Sequence, residues 1–132
     1  MQKLEQTKNS ITITINKPID EVFKFTTNPA KTHLWIPSIK KEVADNYPPA
    51  VGTIYKNCGE DGQWDTYKVT EFIDNQLFTL SDLENNYNVR YSYHPINDQQ
   101  TEMTYFEWVN EGALSNPFTE DIIGNLKLVL ES

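Results

Sequence analysis

The chain is poor in residues on which several classes of protein depend. It has one cysteine, Cys58, and two histidines, so no intramolecular disulfide forms and we expect no metal site and no cofactor. Its 11 Lys and Arg face 19 Asp and Glu, which gives a net charge of -8. Because nucleic-acid binding depends on basic residues that neutralise phosphates, we expect no nucleic-acid partner. The same deficit disfavours anionic membrane surfaces.

Long apolar runs are also missing. No stretch approaches the ~20 apolar residues of a transmembrane helix, and residues 1–10, MQKLEQTKNS, contain no apolar signal core. A lone thiol suits a reducing compartment. Together these features predict a cytoplasmic protein without membrane insertion. A chain of 132 residues without repeats or linkers predicts a single domain over residues 1–132.

Aromatic residues are abundant, with three Trp, seven Tyr and six Phe, and they crowd into segments with the pattern of strands. Residues 11–15, ITITI, alternate with period two, which is typical of a strand with one apolar face. Similar segments follow, separated by turns rich in Gly, Asp, Asn and Pro. They span residues 38–45, 52–58, 64–73, 76–80, 87–94 and 101–109. Consecutive hairpins of this kind form an antiparallel sheet.

Two short helices are predicted between the first two strands. Pro18 suits the first position of a helix, and the apolar residues that follow it have helical spacing until Pro29 ends the helix. Residues 30–35, AKTHLW, form the second helix, which ends before Pro37. Trp35 is expected to plug this end of the molecule or to contact a ligand.

A longer helix is predicted at the C-terminal end, opened by Pro117 with Ser115 or Asn116 as its cap. Its apolar stripe consists of Phe118, Ile122, Leu126, Val129 and Leu130. The sheet needs cover on its apolar face, and this helix is the only long element available. The fold class is therefore α+β: a curved antiparallel sheet of six to seven strands wrapped around a C-terminal helix. The two short helices close one end.

Several motifs resemble the START-like, or Bet v 1-like, superfamily (SRPBCC). The first strand is followed by a Pro-x-x-x-Val-aromatic helix start at Pro18, Val22 and Phe23, and then by Trp35 and Pro37 before the second strand. The later segments VTEFIDNQLFTL and QQTEMTYFEWV and the final helix continue the resemblance over nearly the whole chain. The bacterial polyketide cyclase/dehydrase-like and Hsp90-activator-like proteins are the members that it resembles most.

The resemblance implies a helix-grip fold with a cavity between the sheet and the C-terminal helix. Members of the superfamily use this cavity for lipids, sterols, polyketides and other hydrophobic molecules. They include enzymes, carriers and partners of other proteins. The superfamily has no common catalytic residue, so the resemblance transfers none to this chain.

Side chains of one parity on each strand are predicted to face the helix. The candidate ligand-binding residues are Trp35, Tyr67, Val69, Val89, Tyr91, Tyr93, Met103, Tyr105, Glu107, Ile122 and Leu126. An apolar wall that carries phenol hydroxyls suits a small hydrophobic or amphipathic ligand. The alternative is that these side chains only fill the core.

Glu107 is the one carboxylate among these residues, and burial is costly for it unless it is paired or hydrogen-bonded. It is a weak candidate for a catalytic acid or base. Phe106 and Trp108, on the opposite face of the same strand, leave its orientation open and are also compatible with a homodimer. Arg90 is expected to pair with Glu102 on the outer face.

Gly124 interrupts the final helix at a cost of about 1 kcal/mol relative to alanine. It either clears space above the cavity or permits a close approach between helix and sheet.

Three functions remain open, and the sequence leans away from an enzyme. The first is binding of a small hydrophobic molecule. The second is a cyclase or dehydratase in which Glu107 acts with Tyr91, Tyr93 or Tyr105. The third is a protein-interaction module of the chaperone-activator type.

Overall fold

The computed structural model describes residues 6–132, which form a seven-stranded sheet, two α-helices and one 3₁₀ helix. In chain order these are β1 (Lys8–Ile15), α1 (Ile19–Thr27), the 3₁₀ helix (Pro29–Leu34), β2 (Lys41–Ala44), β3 (Ile54–Cys58), β4 (Trp64–Ile73), β5 (Leu77–Asp82), β6 (Tyr87–Asn97), β7 (Gln100–Val109) and α2 (Glu120–Glu131). Residues 1–5, on which part of the prediction of no signal segment depends, lie outside the described residues.

The sheet is antiparallel and curved, with the strand order β1-β7-β6-β5-β4-β3-β2. Each strand from β2 to β7 pairs with the next one along the chain, as expected for consecutive hairpins. β1 pairs with β7, so that β1 and β2 lie at opposite edges. The connection between them contains α1 and the 3₁₀ helix. The predicted helix-grip α+β fold is confirmed.

Alternation along the strands separates a buried face from an outer face. On β7, Met103, Tyr105 and Glu107 are buried, whereas Glu102 is exposed. β4 breaks this alternation at a bulge between Val69 and Glu71. The extra residue reverses the parity, so that Val69 faces the core while Glu71 faces outward.

The helix α2 begins later than the sequence predicts. Its cap is Thr119, whose Oγ1 accepts a hydrogen bond from the Ile122 N–H, and not Ser115 or Asn116. The preceding residue, Phe118, cannot join the helix in this arrangement because its N–H and C=O both bond to side chains of the sheet. The most buried α2 side chains are Leu126 and Ile123, and the predicted stripe omitted the latter.

Gly124 makes no close approach to the sheet. A Cβ built on it meets nothing within 4 Å, so this part of the prediction is wrong. It does not line the cavity described below either.

Arg90 on the outer face pairs with Glu71 and not with Glu102 as predicted. Its Nη2 lies 2.6 Å from the Glu71 Oε1. The register explains the difference, since Arg90 lies opposite Phe106 and His94 lies opposite Glu102. The guanidinium also covers the Trp108 ring at 4.9 Å from its centroid. Neither α1 nor α2 has the length and apolar character needed to cross a bilayer.

Candidate functional site

A cavity of about 690 Å³ opens on the concave face of the sheet. Its floor consists of side chains from the central strands. Five segments outside the strands contribute to its rim and cover: Thr26 of α1, Thr32 of the 3₁₀ helix, residues 36–39, the β3–β4 turn at 59–63, and residues 114–118. The helix α2 contributes none of the lining residues, because it packs beside β1. This differs from the expectation that the cavity lies under the C-terminal helix.

The structure brings five of the eleven candidate ligand-binding residues together at the cavity wall. They are Tyr67, Val89, Tyr91, Tyr105 and Glu107.

The other six candidates lie away from the wall. They are Trp35, Val69, Tyr93, Met103, Ile122 and Leu126. Five of them are buried in the core and Ile122 packs against it. The Tyr93 hydroxyl bonds to the Thr26 Oγ1 at 2.5 Å. Trp35 lies behind the wall, where its ring meets those of Tyr91 and Phe118 edge to face at 6.3 Å. Alternation alone cannot separate core from wall, because both lie on the same face of the sheet.

Glu107 is 1% exposed and accepts three hydrogen bonds. Its Oε2 accepts from the Phe118 N–H at 2.7 Å and from the Asn9 Nδ2 at 3.0 Å. Its Oε1 accepts from the Tyr87 hydroxyl at 2.8 Å. The same Asn9 amide also donates to the Phe118 carbonyl at 2.9 Å. Glu107 therefore holds the segment before α2 onto β1 and β7 at one side of the cavity.

Glu42 on β2 is a second carboxylate at the cavity, and the sequence interpretation missed it. Its Oε1 accepts from the Thr32 hydroxyl at 2.6 Å and its Oε2 from the Asn57 amide at 3.1 Å. Burial raises the pKa of Glu42, although these two hydrogen bonds act in the opposite direction. A prediction that turns the apolar side chains of a strand inward would place Val43 in the core and Glu42 outside. The structure has the opposite arrangement, with Val43 40% exposed.

Tyrosine hydroxyls supply most of the remaining polar atoms of the floor. Tyr67, Tyr87, Tyr91 and Tyr105 line the cavity. The alternation along β6 could have identified Tyr87, since it shares a parity with Tyr91. Burial is the largest cause that raises the pKa of each of the four phenols, in the case of Tyr67 to about 12. The phenols are therefore neutral hydrogen-bonding groups at physiological pH.

The cavity combines aromatic faces, neutral hydroxyls and two enclosed carboxylates. Such a wall can bind and orient a small molecule. Within residues 6–132, no three His, Cys, Asp or Glu side chains are grouped so that they could hold a metal ion.

The fold and its cavity define a START-like helix-grip protein. A family model described as "Polyketide cyclase / dehydrase and lipid transport" matches residues 2–129, and the chain belongs to this family. No curated protein matches the chain.

Solved structures from bacteria have the same fold at low sequence identity. A START superfamily protein from Mycobacterium smegmatis has a TM-score of 0.71 at 16% identity, with 95% of this chain and 97% of that chain covered. The XoxI protein from Bacillus cereus has a TM-score of 0.74 at 10% identity, with 96% of each chain covered. A protein from Nitrosomonas europaea has a TM-score of 0.73 at 13% identity, covering 95% of this chain and 94% of that one. At these identities the likeness shows the fold alone.

Proposed function

We propose that the protein binds a small hydrophobic or amphipathic molecule in the cavity on the concave face of the sheet. The observation that carries this proposal is the cavity itself, at about 690 Å³ with aromatic walls and phenol hydroxyls. Ligand sites for small molecules have volumes of roughly 300–1,000 Å³, and a few polar groups in an apolar wall orient the ligand. Membership of a family whose description includes lipid transport agrees with this proposal.

A cyclase or dehydratase that uses Glu107 is the second candidate, and the geometry favours it less. The Glu107 carboxylate already accepts three hydrogen bonds. Two of them, from the Asn9 amide and the Phe118 N–H, connect β1 and the segment before α2 to β7. Its phenol partner is Tyr87, and not Tyr91, Tyr93 or Tyr105 as the sequence interpretation has it. A general base needs a free lone pair for the proton that it removes, and three of the roughly four lone-pair sites of this carboxylate are occupied.

The protein-interaction role has less support, because no described surface favours a particular partner. The homodimer and the cytoplasmic location stay predictions. On the convex face, the apolar residues Phe106 and Trp108 stack on each other at 5.2 Å, and Arg90 covers the latter. Sizing the protein in solution tests the homodimer directly.

Native mass spectrometry of the freshly purified protein, with the neutral fluorophore phenylnaphthylamine as an added probe, tests the binding proposal. We expect a bound molecule that denaturation releases, or saturable binding of the probe with enhanced fluorescence. Val89→Phe should reduce binding, because Val89 lines the cavity and a larger side chain fills it. Val43→Phe is the matched control on an exposed site. An apo mass together with no saturable probe binding would refute the proposal, as would equal binding by the two variants.

A further inference from the structure

The charged side chains that line the cavity are all acidic. They are Glu42, Glu60, Asp61, Asp65 and Glu107. None of the described residues that line the cavity is Lys, Arg or His. A cavity for a fatty acid, a phosphorylated lipid or another anion would place a cation near the ligand, since buried anions are costly without one.

The five carboxylates differ in depth and in their partners. Glu60 lies at the rim with its side chain 82% exposed, and the Lys40 ammonium group contacts it at 3.2 Å. Asp61 and Asp65 are also exposed, on or beside the β3–β4 turn. These three form an acidic mouth, of which Asp61 and Asp65 have no ion-pair partner among the described residues. Acidic residues around an opening attract cations and repel anions.

The two deeper carboxylates, Glu42 and Glu107, have only neutral partners. Glu42 accepts from a hydroxyl and an amide, and Glu107 accepts from an amide, a phenol and a backbone N–H. Neither takes part in an ion pair among the described residues. A carboxylate enclosed in protein without a counter-charge is costly, and a bound cation would supply the missing charge.

Aromatic rings face the same space. Tyr105 and Phe118 stack nearly parallel, with centroids 4.6 Å apart at an interplanar angle of 2°, and Tyr67 and Tyr87 pack at 6.3 Å. All four line the cavity. Aromatic faces carry partial negative charge and attract organic cations, most strongly where water is excluded. The rings and the carboxylates therefore favour the same sign of charge in a ligand.

We propose that the ligand is an organic cation: an amine or a quaternary ammonium compound with an apolar or aromatic body. The body would lie against the rings and the cationic group would face Glu42, which is the more accessible of the two deeper carboxylates, while Glu107 would act on it from farther away across the sheet. This proposal rests on the proposed function, because it specifies the charge of the molecule that the cavity binds. Anionic lipids and carboxylic acids are disfavoured by the same arrangement.

A matched series of probes tests the proposal: naphthylethylamine, naphthylethanol and naphthylacetate, titrated calorimetrically at neutral pH. The three share one aromatic body and differ in charge. We expect the amine to bind about tenfold more tightly than the alcohol, since attraction to enclosed carboxylates exceeds what solvent screening removes. The carboxylate should bind more weakly than the alcohol.

Variants locate the source of this preference. Glu42→Gln should reduce the preference for the amine over the alcohol, measured as the ratio of the two affinities, to about a third of its wild-type value or less. Glu107→Gln should act in the same direction, and Glu42→Gln keeps the test valid where the Glu107 variant folds poorly. Glu102→Gln is the control, because it removes one negative charge from an exposed position on β7, the strand that carries Glu107.

The outcomes separate the two proposals. If the alcohol or the carboxylate binds as tightly as the amine, the cation proposal is overturned and the binding proposal stands. A preference for the amine that Glu102→Gln lowers as much as Glu42→Gln does would reflect net charge alone, and this also overturns it. If none of the three probes binds and the purified protein has an apo mass, the proposed function fails and the cation proposal fails with it.

Discussion

Replacing Glu107 should loosen the attachment between α2 and the sheet. The carboxylate accepts hydrogen bonds from Asn9 on β1, Tyr87 on β6 and the Phe118 N–H just before α2. Glu107→Ala removes all three acceptor contacts at once. The Asn9 amide keeps its bond to the Phe118 carbonyl. Tyr87 lines the cavity, so the backbone N–H of Phe118 is the donor most affected by the loss of its acceptor.

The size of the effect follows from two opposing contributions. Hydrogen bonds to a charged acceptor contribute about 1.5–3 kcal/mol each, so three contribute about 5–9 kcal/mol. Removing the enclosed carboxylate also removes its desolvation cost of several kcal/mol. We therefore expect Glu107→Ala to lower the free energy of unfolding by about 2–4 kcal/mol, which corresponds to a fall in Tm of about 10 °C. Glu107→Gln should cost about 1 kcal/mol, because its amide oxygen can still accept from the Phe118 N–H.

Urea unfolding followed by tryptophan fluorescence measures these differences, since Trp35 is buried at 2% exposure. Amide hydrogen exchange at Phe118 supplies a local measurement, and its protection should fall in Glu107→Ala. Glu102→Ala on the outer face of β7 is the control, with an expected change within about 0.5 kcal/mol. A Glu107→Ala protein as stable as this control, with Phe118 still protected, would show that the proposed anchoring is incorrect.

Three further predictions follow from the cavity and from α2. Burial raises the pKa of Glu42 above 4.5, so the folded state binds this proton more tightly than the unfolded state does, and the free energy of unfolding should fall as pH rises from about 4.5 through the folded pKa. Glu42→Gln should lack this pH-dependent contribution. If the stability difference between Glu42→Gln and wild type does not vary with pH, the raised pKa of Glu42 is contradicted. Gly124→Ala should raise the free energy of unfolding by about 0.5–1 kcal/mol, because a Cβ at this position meets nothing within 4 Å and alanine favours a helix more than glycine does. A lower free energy of unfolding in chemical denaturation would contradict this prediction. Burial is the main cause that raises the pKa of six of the seven tyrosines above 10.0. The free energy of unfolding should therefore fall as pH rises beyond about 10. In an alkaline titration followed by absorbance, most of the phenolate signal should appear only when the protein unfolds.

The strands and the first helix could be predicted because their signals are local. Residues 64–73 lie between two turn segments, which predicts β4 with the bounds observed, and Pro18 and Pro29 frame α1. The start of α2 could not be predicted in this way. Pro117 is a suitable first helical residue, but the Phe118 backbone bonds to Glu107 and Asn9, which are distant in the sequence.

The candidate site, too, was predictable only where the signal is local. Alternation places Tyr91, Tyr105 and Glu107 on the concave face, and the structure finds them at the cavity wall. It places Met103 and Tyr93 on that face equally well, but these lie in the core. Whether a side chain on the concave face lies in the core or at the cavity wall depends on which segments pack above its strand. The sequence of a single strand does not indicate which segments these are.

By itself, the amino-acid sequence determined the order of the elements, the face of most strands and the excess of negative charge, because each follows from neighbouring residues or from composition. Only the tertiary structure decided where the cavity lies, that α2 does not line it, and that Glu42 joins Glu107 at its wall. It also decided that Arg90 pairs with Glu71. These features depend on register, a bulge and the packing of loops, which bring together residues from distant parts of the chain.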